Sequence, residues 1–146
     1  MSTRSFSSLA MFHCHVTIQL RTQLVCALVV YRLCSLQIGC HVNGLFLGCL
    51  FYADDVLLLC PSVTGLQYMS DVCVASGDML SLKFNPLKSH CLAIGKFASV
   101  SLPSMWLDSH PIPWAFSIKY LGVYIVNGRK LLFDITSVKQ SFFCCL

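Results

Sequence analysis

The residues of this chain best suited to chemistry are two adjacent carboxylates, Asp54 and Asp55. An apolar run, Gly44-Leu45-Phe46-Leu47-Gly48-Cys49-Leu50-Phe51, precedes Tyr52-Ala53-Asp54-Asp55, and a second, Val56-Leu57-Leu58-Leu59-Cys60-Pro61, follows it. Like charges a few ångströms apart repel, and apolar surroundings sharpen the repulsion. A divalent cation relieves it, and hard carboxylate oxygens suit Mg²⁺ or Mn²⁺. The competing reading is an ordinary polar turn, for which Asp is a common choice.

The elements that must position this pair follow from the flanks. Each apolar run has strand length and is bounded by Gly or Pro, which predicts strands near residues 45–52 and 56–60 with the aspartates at or beside the turn. Ser62 or Thr64 then caps a helix over residues 64–80, where Leu66, Met69, Cys73 and Leu80 fall at helical spacing. Asp71 and Asp78 lie off that stripe, as solvated helix-face acids. Leu82-Lys83-Phe84 reads as a short extended piece entering an Asn85-Pro86 turn, because proline keeps the preceding residue out of the helical region. Ser89–Ile94 is a strand, with Lys88 before it. Residues 105–114 predict a hairpin around Ser109-His110-Pro111, and Lys119–Ile125 predicts one strand ending at an Asn127-Gly128 turn. A helix is expected from Leu131. Residues 1–37 are the least interpretable part: Thr17–Tyr31 could make a helix or two strands, since Val16, Ile18, Leu20 and Leu24–Val30 satisfy neither period cleanly.

Phe51-Tyr52-Ala53-Asp54-Asp55-Val56 resembles the metal-binding hairpin of reverse transcriptases, in the form found in non-LTR retrotransposons. Three further landmarks follow in order: Gly65-Leu66-Gln67 in a helical stretch, Asn85…Lys88 within Leu82–Ser89, and Tyr120-Leu121-Gly122. The resemblance covers residues 38–135, with residues 136–146 as the start of a truncated thumb helix. It implies an α+β fold: an antiparallel palm-like sheet carrying the hairpin, with one or two packed helices. It also implies an RNA-directed DNA polymerase using two metal ions to join nucleotides. Asp54 and Asp55 would be metal ligands, with Mg²⁺ or Mn²⁺ weakly held. Tyr52 and Ala53 would line the tip under the primer end, and Asn85 would hold its loop. Lys88 would face the incoming nucleotide's phosphates, and Tyr120, Leu121 and Gly122 would form the primer grip. RNA template, DNA primer and the remainder of the polymerase are the implied partners. The family also needs an Asp on an upstream strand, and this chain has no Asp or Glu before Asp54. The expectation is therefore a polymerase by descent that is catalytically incomplete.

Composition leaves two other readings open. The 146 residues are 56% hydrophobic and only 11% charged, well below the roughly 25% charged residues of ordinary soluble domains. Residues 33–53 carry no formal charge and are long enough to span a bilayer, so a small membrane protein with a span near 24–53 is one alternative. Ser35, Gln37, His41 and Asn43, with three glycines, fit turns and strands better, and no membrane association is preferred. No signal-peptide pattern follows Arg4. The second alternative is a nucleic-acid-binding remnant without catalysis. The acids concentrate in residues 54–82, which hold no base, whereas residues 83–146 are basic, a mild bias towards a phosphate backbone. The ten cysteines contain no Cys-x-x-Cys, and His13-Cys14-His15 and Cys40-His41 lack paired zinc spacing. Reduced thiols in a cytoplasmic or nuclear setting are expected.

Overall fold

The run Leu9-Ala10-Met11-Phe12-His13-Cys14 shows no clean polar alternation because both faces of the strand it forms are covered. The computed structural model describes residues 8–17, 22–136 and 139–140. The chain opens with β1 (Ser8–Thr17) and α1 (Thr22–Leu36), then two short strands, β2 (His41–Val42) and β3 (Leu45–Phe46). The aspartate hairpin is β4 (Cys49–Tyr52) and β5 (Asp55–Cys60), followed by α2 (Val63–Asp78) and the long β6 (Lys83–Gly95). Two small sheets complete it: β7 (Met105–Leu107) with β8 (His110–Ile112), then β9 (Ser117–Tyr120), β10 (Val123–Val126) and β11 (Leu132–Asp134). The protein is thus α+β, with antiparallel strand ladders and, among the described residues, the two long helices α1 and α2.

Strand order in the main sheet is β4-β5-β1-β6, all neighbours antiparallel. With α1 and α2 as crossovers this is a split βαβ arrangement, and it inserts β1 into the sheet centre. Side chains alternate between faces along a strand. Ala10, Phe12 and Cys14 of β1, Val56, Leu58 and Cys60 of β5 and Cys91 of β6 pack in one cluster with Val29 and Leu33 of α1 and Leu66, Met69 and Cys73 of α2. On the opposite face, Met11, Leu57, Leu92 and Ile94 meet Ile118 and Ile125 of the β9–β10 unit. Burying the thiols in this core suppresses their ionisation: Cys73 and Cys91 are pushed up to about 12. Cys14 is also raised, by burial first and then by neighbouring Cys73, Cys49, Asp55 and Cys91. Cys14, Cys34, Cys40, Cys49, Cys60, Cys73 and Cys91 are free thiols.

Helix α2 begins where expected. Ser62 adopts an extended backbone and its hydroxyl accepts a 3.1 Å hydrogen bond from the Gly65 amide, satisfying one orphan donor of the first turn. Asp71 and Asp78 are exposed, bonded to Gln67 at 2.8 Å and Lys83 at 2.7 Å. Gln67 also exchanges two hydrogen bonds with the Trp106 backbone, 2.9 and 2.8 Å, which clamps the β7–β8 hairpin to the helix.

Four expectations are corrected and one open choice is resolved. Of the stretch Thr17–Tyr31, readable as a helix or as two strands, residues 22–31 belong to helix α1, after strand β1 over residues 8–17. The 45–52 run is not one strand: Asn43 and Gly44, at φ 50° and 80°, turn β2 back on β3 before β4 starts at Cys49. Asn85-Pro86 does not end a strand. It lies in a bulge of β6, where His13↔His90 and His15↔Asn85 pairings leave the intervening β6 residues unmatched; a proline that cannot donate is tolerated there. Lys119–Ile125 is not one strand. Leu121 and Gly122 both take positive φ, 49° and 84°, which is the type I′ geometry that joins β9 to β10. Finally, Leu131 starts no helix, since residues 132–134 pair with β10 as β11. The expected thumb helix over 136–146 falls mostly outside the described residues. Among the described residues no helix is long and apolar enough to cross a membrane.

Candidate functional site

The register of the β4–β5 hairpin closes on Tyr52↔Asp55, so Ala53 and Asp54 form the two-residue turn. Asp54 is exposed at the tip, whereas Asp55 is the first residue of β5 and half-buried. Parity then decides where the second carboxylate points. Val56 and Leu58 face the helices, so Asp55 shares the other face with Leu57, over which the β9–β10 unit lies.

Ala53 sits at φ +48°, the left-handed region that disfavours any Cβ. The strain is local to the turn carrying the acids, the kind of place where such strain concentrates. Ala53→Gly is expected to stabilise the fold by up to about 1 kcal/mol, read as a higher urea midpoint. A lower midpoint would mean that the turn does not hold this conformation.

The residue that sequence reasoning missed is His13. On β1 it pairs with Leu57, and its imidazole Nε2 lies 3.3 Å from Asp55 Oδ1, hydrogen-bonded across 42 positions of sequence. Only 7% of His13 is exposed. Tyr120 packs edge-on against the imidazole, ring centroids 5.7 Å apart at 81°. The Tyr120 hydroxyl is held above its ordinary range by burial first, then by the Asp55 and Cys49 charges. The only hint in the sequence was the local cluster His13-Cys14-His15.

The other predicted site residues divide into two groups. Tyr52, Ala53, Asp54 and Asp55 stay together on the hairpin, and Tyr120 joins them through His13. Lys88 lines an open pocket of about 470 Å³ with His13, Leu87, His90, Ser117, Ile118 and Lys119. Asn85 lies in the β6 bulge, its side-chain oxygen accepting from the Leu87 amide at 3.0 Å, so it does hold its own loop. Leu121 and Gly122 occupy the exposed β9–β10 turn. The Tyr-Leu-Gly segment is therefore the end of β9 and a hairpin turn, not a continuous strand.

As a metal site the hairpin is sparse. Among the described residues no group of three or more His, Cys, Asp or Glu side chains is arranged to hold an ion. Across from Asp55, β1 contributes an imidazole and no carboxylate. Two adjacent carboxylates supply too few oxygens for six-coordinate Mg²⁺ without several waters. Bridging two ions takes carboxylates from separate elements. The donors fit one loosely held ion and do not fit a two-ion centre. No protein-family model and no curated protein matches this chain.

Proposed function

We propose that this chain is a reverse-transcriptase-type palm unit that cannot polymerise by itself. The observation that carries the reading is the juxtaposition of β1 with the Asp54/Asp55 hairpin. The resemblance calls for an upstream strand beside the hairpin that bears an Asp, and β1 has that position in the sheet, with His13 beside Asp55. Support also comes from order along the chain: hairpin, packed helix α2, then β6 with Asn85 and Lys88, then the β9–β10 unit over the hairpin face opposite the helices. In this reading Asp54 and Asp55 bind a single Mg²⁺ or Mn²⁺ weakly, and Lys88 meets phosphate. Free, protonated core thiols suit a reducing cytoplasmic or nuclear compartment.

The test has two arms. Mn²⁺ titrated against the protein should bind weakly, and Asp54→Asn should abolish that binding. Equal binding by both proteins would remove the hairpin as a metal site. Primer extension on an RNA template should be absent even with Mn²⁺, because the donor set lacks a carboxylate from a second strand. Template-dependent extension lost in Asp54→Asn would overturn the incomplete-site argument.

A further inference from the structure

Two cationic pockets flank the place where the β9–β10 unit rests on β6. The first is lined by Lys88, His90, Ser117, Lys119 and His13 among others. The second, about 360 Å³, lies at the other end of β6 and is lined by Gly95, Lys96, Ser99 and Arg129. Between them, Leu92 and Ile94 are covered by Ile118 and Ile125, and the Gly95 amide donates to the Gly128 carbonyl at 2.8 Å. Neither pocket is lined by an acid, and Asp55, beside the first through His13, is engaged by that imidazole at 3.3 Å. The four long cations are all exposed.

We infer that the two pockets are phosphate contacts for one single-stranded nucleic acid laid along this seam, independent of any metal ion. The inference rests on the nucleic-acid side of the function proposed above. From His90 to Gly95 the strand advances five residues, roughly 17 Å at about 3.3 Å each. Stacked nucleotides advance about 3.4 Å per strand, so about five of them bridge the pockets and two do not. Two long cations with a serine hydroxyl in each pocket, Lys88 and Lys119 with Ser117 in the first and Lys96 and Arg129 with Ser99 in the second, suit phosphodiester oxygens, for which charge-assisted donors are strongest. Their spacing suits a chain of phosphates better than one free anion. Tyr124, whose ring lies 5.8 Å from Lys119 Nζ, offers an exposed aromatic face beside the first pocket.

The experiment is fluorescence anisotropy in EDTA with labelled dT12 and dT2, on the parent chain, Lys88→Ala/Lys119→Ala and Lys96→Ala/Arg129→Ala. Thermal melts should match, since these side chains are exposed. Each double variant should weaken dT12 about tenfold or more and flatten its salt dependence by about two counterions. Affinity for dT2 should be much lower than for dT12. Tripolyphosphate displacing dT12 from one pocket alone, with no length dependence, would replace the track by a free-phosphate site. Indifference of dT12 binding to both double variants would overturn the inference outright. Because EDTA removes divalent ions, the two readings fail separately. A chain that ignores these substitutions but binds Mn²⁺ keeps its metal hairpin. One that binds dT12 through both pockets but no Mn²⁺ keeps only the track.

Discussion

Phe12→Ala is expected to cost about 3–5 kcal/mol, the range for emptying a fully buried aromatic site. Phe12 has no exposed surface and stands opposite Leu58 on one side and Cys91 on the other. It is the largest buried side chain on the central strand, wedged under both helices. Its loss leaves a void bounded by strands on both sides, whose ladders limit collapse. Against a usual folding stability of 5–15 kcal/mol, much of the population would unfold. A urea melt should show the midpoint falling by about 2 M, with little change in slope. A shift under about 0.5 M would mean that β1 is not held between β5 and β6, and would undo the sheet order.

The second large effect is a gain of metal dependence. His13→Asp would set a carboxylate from a separate strand against Asp55, where the parent has an imidazole. Without cations, two like charges in a half-buried site repel and Asp55 loses its donor, destabilising the fold by about 2 kcal/mol. Mn²⁺ should restore that loss, and its affinity should exceed the parent's about tenfold or more, since a third carboxylate adds a charged ligand. The readout is the thermal midpoint with and without Mn²⁺ for parent, His13→Asp and His13→Ala. Rescue by Mn²⁺ confined to the aspartate variant is the expected pattern. An aspartate variant as indifferent to Mn²⁺ as the alanine one would show that β1 and the hairpin do not converge on one ion.

Local signals carried the parts of the fold made by short-range geometry. Two apolar runs around Tyr52–Asp55 sufficed for the β4–β5 hairpin, because the two-residue turn and both strands lie within one contiguous segment. Ser62 and the Leu66, Met69, Cys73 stripe sufficed for α2, because capping and helical periodicity act over a few residues. The acids on the helix face, the self-bonding of Asn85 and a hairpin within residues 105–114 were legible for the same reason, although the turn falls at Asp108-Ser109 and not at Ser109-His110-Pro111. Leu121 was not. A leucine at positive φ carries no turn signature, and only pairing on both sides holds it there.

What the sequence alone determined is therefore the acidic hairpin and the helix after it, together with the lack of any carboxylate before Asp54. What only the tertiary structure decided is the company these residues keep. β1 is buried on both faces, so its hydrophobicity has no period to read, and its partners lie at least about 40 residues away. Which strand fills the gap between β5 and β6 depends on matching whole edges and faces, a non-local choice that no window of sequence contains. That choice set His13 against Asp55 and Tyr120 against His13. It also laid the β9–β10 unit along β6, with a cationic pocket at each end.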